Sequence, residues 1–385
     1  MANNLFFSRD TRVVVSDGTT YWEIPVLDGF SFSQATNTSE ITLNEMSSAA
    51  SGNASRRGRR MFNDSYAPAE WSFSTYIRPF KSTVDATDGW DGSTAQMHAV
   101  EEVLWAALVG NGSFTAGVSG TDNDSNSAWT ADQGITQNAT SLTFDFEDSN
   151  TASLKELEIY FIMGQGDYAS GTHTVYKIDG CCVNEAAIEF DVEGIATINW
   201  SGFGKIITEE AAVPTVSISE GTTSTANFIR NRLTTCAVTA AAAGSIETAY
   251  SLTLTGGNIT FNNNITFLTP ETLGVINQPI GHVTGTRNIS GNFTCYLGNH
   301  TAGSADLFED LIESTDTITN DFNLVFAIGG STAPNVTITL PTCHLEIPTH
   351  SIEDIISLET NFHALPSTID GADEASIVYA GPTLT

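Results

Sequence analysis

Residues 176–205 read YKIDGCCVNEAAIEFDVEGIATINWSGFGK. From Ile188 the stretch alternates: Ile188, Phe190, Val192, Ala196, Ile198 and Trp200 share one parity, while Glu189, Asp191, Glu193, Thr197 and Asn199 share the other. A period of two marks a half-buried strand. The Glu193-Gly194 step interrupts the pattern, and a glycine at such a point signals a bulge or a sharp turn. The stretch predicts either one long bent strand or a tight hairpin, apolar on one face and carrying three carboxylates on the other. An acidic strand face is ordinarily a solvated surface. The alternative is that it faces something that must be repelled.

Outward from this stretch the texture stays that of strands and turns. Val13 to Val15 is a short apolar run, residues 21–27 form a strand closed by Asp28-Gly29, and Phe30 and Phe32 lead an alternating segment toward Ile41 and Leu43. Residues 46–68, MSSAASGNASRRGRRMFNDSYAP, are small, polar and glycine-containing, and predict a long exposed loop or hairpin tip. Arg56, Arg57, Arg59 and Arg60 place four of the fourteen basic residues there. Such a cluster is either a solvated loop or an arm that docks on a carboxylate-rich surface of another copy, because arginine pairs well with carboxylates. Strand returns at residues 70–80. A helix is predicted over residues 94–109, where Met97, Val100, Val103, Leu104, Ala107 and Leu108 follow helical spacing, Glu101 and Glu102 take the far side and Gly110 is the stop. Residues 112–140 read as a polar, exposed insertion, and strands resume at 141–146 and 154–163.

Residues 209–245 are linker-like, beginning around Pro214, with FIRNRLTT at 228–235 as a short helix or turn. Beyond them the order of elements repeats. Residues 250–267 correspond to 21–43, residues 269–286 to the arginine-rich loop, 288–297 to the strand at Trp71, 304–312 to the helix, 322–328 to 154–163, and 336–362 to the opening stretch. The prediction is a mostly-β, sandwich-like or barrel-like fold with one helix per domain, in two tandem domains over 1–208 and 246–385 joined by a linker at 209–245.

The chain has 385 residues and a net charge of −31, from fourteen Lys plus Arg against forty-five Asp plus Glu. That balance excludes a protein that wraps or reads nucleic acid by neutralising phosphates, though not a surface past which nucleic acid slides. The first residues lack the pattern of a signal peptide, and no run reaches the length of a membrane span. Asn-x-Ser/Thr triplets at Asn37, Asn53, Asn264 and Asn292 fit Asn- and Thr-rich strands and turns better than glycosylation. Five cysteines, without CxxC spacing, predict reduced, mostly buried thiols and no zinc site.

Catalytic constellations are missing: there is no GxSxG, Walker A, dinucleotide fingerprint or HExxH. Gly164-Gln165-Gly166 lacks a third glycine, and His344 reads as a strand residue. Glu209-Glu210 and Glu353-Asp354 are the sort of carboxylate pairs an acidic chain contains in any case. The expectation is no enzyme, no cofactor and no metal.

Three runs, IEFDVEGIATINWSGFG at 188–204, FIRNRL at 228–233 and LTGGNITFNNNITFLTP at 254–270, resemble the major tail tube proteins of long-tailed phages, in the larger form with a duplicated tube domain. The resemblance covers nearly the whole chain in its order of elements. It implies a β-sandwich-like domain with a flanking helix, whose sheets join those of neighbours into an inner barrel. It further implies homotrimeric rings with pseudo-sixfold symmetry, stacked into a tube that conducts double-stranded DNA, with tape-measure, tail-terminator and tip proteins as partners, no membrane, and a virion location after synthesis in the host cytoplasm. In that setting Glu189, Asp191, Glu193 and Glu359 are expected to face the lumen, and Arg56, Arg57, Arg59 and Arg60 to bridge successive rings. A β-sandwich binding module remains the alternative, with Trp90, Trp129 and Tyr168 as its candidate aromatic platform, and a capsid decoration protein is a third reading.

Overall fold

The computed structural model describes residues 5–42, 59–81, 96–115, 128–129, 134–146, 154–165, 172–220, 227–240, 249–313, 321–369 and 371–381. Alternating segments become strands that each need a second layer to bury one face. The first half holds β1 (Thr11–Ser16), β2 (Tyr21–Ile24), β3 (Ser31–Thr42), β4 (Arg59–Tyr76), β5 (Pro79–Lys81) and β6 (Met97–Ala99), followed by the helix α1 (Glu102–Val109). It continues with β7 (Phe114–Thr115), β8 (Ala128–Trp129), β9 (Ile135–Gln137), β10 (Ser141–Asp145), β11 (Leu157–Gln165), β12 (Thr172–Asp191), β13 (Thr197–Gly204) and β14 (Ile206–Glu210). The second half holds β15 (Thr235–Ala240), β16 (Tyr250–Ser251), β17 (Leu254–Asn262), β18 (Thr266–Leu268), β19 (Gly281–Val283) and β20 (Asn288–Tyr296). After the helix α2 (Ser304–Glu313) come β21 (Phe322–Ile328), β22 (Asn335–Leu345), β23 (Thr349–Ser351), β24 (Ser357–Ala364) and β25 (Ser376–Ala380).

One antiparallel wall runs β3, β4, β13, β12, β17, β20, β24 and then β22 continued by β23. A second layer faces it, made of β2, β1, β11, β12 and β14 in the first half, and of β16, β15, β21, β22 and β25 in the second, where β10 and β9 of the first half extend it. The fold is therefore mostly β with sandwich-like layering. β12 serves both layers, pairing with β14 up to Asp179 and with β11 up to Cys181, and with β13 from Cys182. Gly180 sits at that corner with φ 56°, a left-handed backbone that a side chain resists.

The pairing pattern of the first half recurs in the second. β3–β4, β4–β13 and β12–β13 have as counterparts β17–β20, β20–β24 and the β22–β23 segment with β24. In the other layer β1–β11, β11–β12 and β12–β14 have as counterparts β15–β21, β21–β22 and β22–β25. Two ladders join the halves: β12 with β17, and β10 with β25.

The opening stretch is a hairpin. Gly194, at φ 101°, makes the turn between β12 and β13. Ile188, Phe190, Ala196, Ile198 and Trp200 are buried, whereas Val192, in the turn itself, is exposed. FIRNRLTT holds a single 3-10 turn at Asn231–Leu233, and β15 follows it within the stretch read as linker. All five cysteines are buried and unpaired.

The first helix is shorter than its spacing predicts, because Met97–Ala99 pairs with Pro79–Lys81 as a strand. All eight residues of α1 are buried, and so is Glu101 just before it. The acidic pair therefore points into protein, not solvent. Helical spacing reports only one apolar stripe, and here a second layer covers the opposite side as well. Glu102 accepts hydrogen bonds from the Trp22 indole at 3.0 Å and from His98 Nδ1 at 2.9 Å. Glu101 accepts one from the Tyr379 hydroxyl of β25 at 2.5 Å, and Trp105 donates to that same hydroxyl at 2.7 Å. The 112–140 insertion also has a buried side: Trp129 and Ile135 are buried, and Trp129 stacks on Trp22 at 5.9 Å. Trp105 reaches the wall edge-on, 4.9 Å from Trp200 and 5.4 Å from Phe261, so the helix packs beneath the β12–β17 joint.

Burial pushes the Glu101 carboxyl up to about 8, against which the Tyr379 hydrogen bond and the nearby Arg78 act in the opposite direction. Between the ordinary carboxyl value of 4.5 and 8 the folded chain keeps a proton that the unfolded chain releases. The contribution of Glu101 to stability is thus highest below 4.5, falls as pH rises through this window and levels off above it. Glu101→Gln is expected to remove that slope. Urea unfolding of both chains at several pH values checks it, with the wild type expected to lose roughly 5 kcal/mol relative to the variant across the window.

Candidate functional site

The outward face of the wall is polar across both halves. One register row runs Thr197, Glu189, Asn258, Asn292 and Asn361. The next runs Ser74, Asn199, Ala187, Thr260, Ser290 and His363, and a third runs Ser31, Ser72, Ser201, Glu185, Asn262 and Asn288. The intervening rows turn inward: Thr75, Ile198, Ile188, Ile259, Gly291 and Phe362 lie in register against the core. Period two thus holds across strands as well as along them. None of the three polar rows contains Lys or Arg.

The carboxylates on this face accept from neutral amides. Asn292 donates to Glu359 at 3.0 Å, Asn262 to Glu185 at 2.9 Å and Asn361 to Glu346 at 2.8 Å. Amide donors orient the carboxylates without cancelling their charge, as a cation would. Of the acids expected on one surface, Glu189 and Asp191 lie on β12, Glu359 lies on β24, and all three are exposed. A cross-strand chain connects Asp191 to Glu359, since Asp191 faces Gly256, Gly256 faces Thr294 and Thr294 faces Glu359. Glu193 is exposed too but belongs to the turn at the end of the sheet. The Asn residues of β17 and β20 that complete the face carry no signal of their own in the sequence. Only the pairing register brings them beside Glu189.

Of the stretch expected to be an arginine-rich loop, residues 59–68 instead belong to β4 and pair with β3. Arg56 and Arg57 lie outside the described residues. Arg59 and Arg60 are exposed, and Arg59 lies 3.5 Å from Glu40 on the opposite strand. Ile41, Met61 and Phe62 are exposed around them. The connection between β18 and β19 reaches this arm: Tyr66 N–H donates to the Asn277 carbonyl at 2.9 Å, and Asn277 N–H to the Asp64 carbonyl at 3.1 Å. That connection adds Leu273, fully exposed, with Val275, Ile276 and Ile280. At the far end of the wall the turns expose Val192, Ile195, Ile352 and Ile355 beside Asp191, Glu193, Glu353 and Asp354. One end therefore exposes apolar residues with arginines, and the other exposes apolar residues with carboxylates, beside which Arg230, bridged to Ile195, and Arg232 are also exposed. Of the aromatic residues that a binding platform would use, Trp129 is buried, and Trp90 and Tyr168 lie outside the described residues.

Along its outer sides the wall stops at β3 and at β23, neither of which pairs with a further strand among the described residues, while β22, which leads into β23, also pairs with β21 and β25 in the second layer. Unpaired edges of this length are the mark of a structural unit that continues into something else. Comparison with known proteins agrees. The family model for the phage tail tube protein matches residues 104–375. The tail tube protein pb6 of Escherichia phage T5 is 31% identical over 390 residues, covering 97% of this chain and 75% of that protein. The chain belongs to the phage tail tube protein family, and as such is a structural component of a phage tail.

The two backbone bonds at Asn277 tie the arm to the second half. Asn277→Pro removes one of them and is expected to raise amide exchange at Tyr66 and along the arm about tenfold, the effect of one lost hydrogen bond. Hydrogen-exchange mass spectrometry measures it.

Proposed function

We propose that three copies of the chain close into a ring by pairing β3 of one copy with the β22–β23 edge of the next, and that stacked rings form the tube through which DNA passes. The observation that carries this reading is the β12–β17 joint. β17 is the counterpart of β3, and β12 is the counterpart of β22 with β23, so the chain already contains one such contact within itself. Repeating the joint at every free edge gives a closed ring, and six domain-like units at two per chain require three chains. On this reading residues 1–208 and 246–385 hold the bulk of the two tube domains, and 209–245 connects them while contributing β15 to the second.

The polar face then lines the lumen. Glu189, Asp191 and Glu359, with Glu193 at its rim, present negative charge to the phosphates, which accordingly find no cation to hold them along the channel. The mechanism is passive: the wall repels, and the DNA slides. The arm with Arg56, Arg57, Arg59 and Arg60 bridges to the next ring, whose acidic turn end offers both apolar surface and carboxylates. Tape-measure, terminator and tip proteins complete the partners. The protein is made in the host cytoplasm and carried in the virion, without cofactor, metal or membrane.

Glu189→Lys, Asp191→Lys and Glu193→Lys together are expected to leave tubes that assemble but eject DNA slowly or trap it, as followed by dye release from loaded virions; normal ejection would count against an acidic lumen. Replacing the four arginines of the arm with serine is expected to leave rings that do not stack. Tube length in negative-stain micrographs decides this one, and wild-type tubes would refute the bridge.

A further inference from the structure

Within one chain the same structural position occurs twice, once with its neighbour in place and once without. In the first half that position is β12, unbroken from Glu185 to Asp191 and paired residue for residue with β17. In the second half it is interrupted. Leu345 faces Phe362 and Thr349 faces Glu359, so three residues, Glu346, Ile347 and Pro348, stand opposite only Asn361 and Thr360. Ile347 is 61% exposed in this bulge, and Pro348 has no N–H to offer. β12 carries a one-residue shift of its own against β13, between Val183 and Glu185, but it lies before the residues that pair with β17, whereas the second-half break falls within the stretch whose outer side is open.

Bulges and prolines on edge strands are devices that stop sheets from adding to one another. A chain with two smooth, matching edges would polymerise wherever it was made. We propose that the Glu346–Pro348 break is an assembly brake: it weakens edge pairing between two free chains, so that a ring forms only where an existing ring or template holds the copies together. In a closed ring on such a base, stacking contacts compensate for the ladder bonds that the break removes. This inference rests on the edge-to-edge reading of the ring.

The experiment uses the full chain with Pro348→Val, which restores an N–H at similar volume, and the double variant Pro348→Val with Ser351→Pro, which blocks the edge again. Sedimentation velocity and negative-stain microscopy across a concentration series report assembly, and circular dichroism reports folding. Pro348→Val is expected to lower the concentration at which rings or tubes appear by about tenfold, the effect of one regained interchain hydrogen bond, and the double variant to abolish the gain. A folded Pro348→Val chain that assembles at the wild-type concentration, or stays monomeric to its solubility limit, overturns the brake. Gained assembly that survives Ser351→Pro would put the contact elsewhere and overturn the edge reading itself. If Pro348→Val does not fold, Pro348→Thr serves in its place with the same outcomes.

Discussion

Every backbone N–H and C=O in a strand needs a partner, and the β12–β17 ladder is where this requirement decides the architecture. Seven successive residue pairs, Glu185 with Asn262 through Asp191 with Gly256, bind the two halves into one wall. Because side chains alternate strictly, this register also fixes which residues of the second half share a face with Glu189. A slip of one residue would turn Ile259 and Phe261 outward and bring Asn258 and Thr260 into the core beneath. The packing of Trp105 against Trp200 and Phe261, one from each half, makes that slip costly.

The same requirement explains why the outward face can be so uniformly polar without a charged partner for each acid. Small amide and hydroxyl side chains satisfy the carboxylates locally, leaving a surface that is negative and carries no cation in its rows. Elsewhere the chain uses its few cations sparingly and in buried or half-buried places: Arg78 with Glu220 at 2.9 Å, Arg287 with Glu374 at 3.0 Å, and Lys177 among Glu158, Asp179 and Glu210. Those pairs secure loops and the outer layer. In a chain with a charge of −31, placing cations there, and Arg59 and Arg60 at the start of β4, leaves the three polar rows without Lys or Arg.

Much of this was legible in the residues. Alternation at Ile188 and Ile198 gave the buried side and left a bent strand or a hairpin open, the order of elements pointed to the repeated pairing pattern, and the stretch read as an arginine-rich loop is strand from Arg59 onward. Long-range burial was not legible. Glu101 and Glu102 look solvated on a helical wheel, yet Trp22 and Tyr379, which hold them, lie far away in sequence. Trp129 reads as a loop aromatic because nothing near it announces that Trp22 stacks on it. The polar face was legible on β12 alone, since the asparagines of β17 and β20 join it only through pairing. The exposed apolar residues at both ends of the wall have no local signature that separates them from core.

β25 pairs with β10 on one side and β22 on the other, and its Tyr379 hydroxyl closes the hydrogen-bond cluster around α1, 278 residues away from Glu101. For a chain emerging from the ribosome, this topology sets an order of events. The helix and strands that precede residue 150 are synthesised early, but the core around α1 stays open until residues 376–380 arrive. Contacts of such sequence separation close slowly, since the loop entropy is lost before the contact repays it. The two halves therefore cannot mature one after the other: the first waits for the second, and both reach their final packing in a single late step.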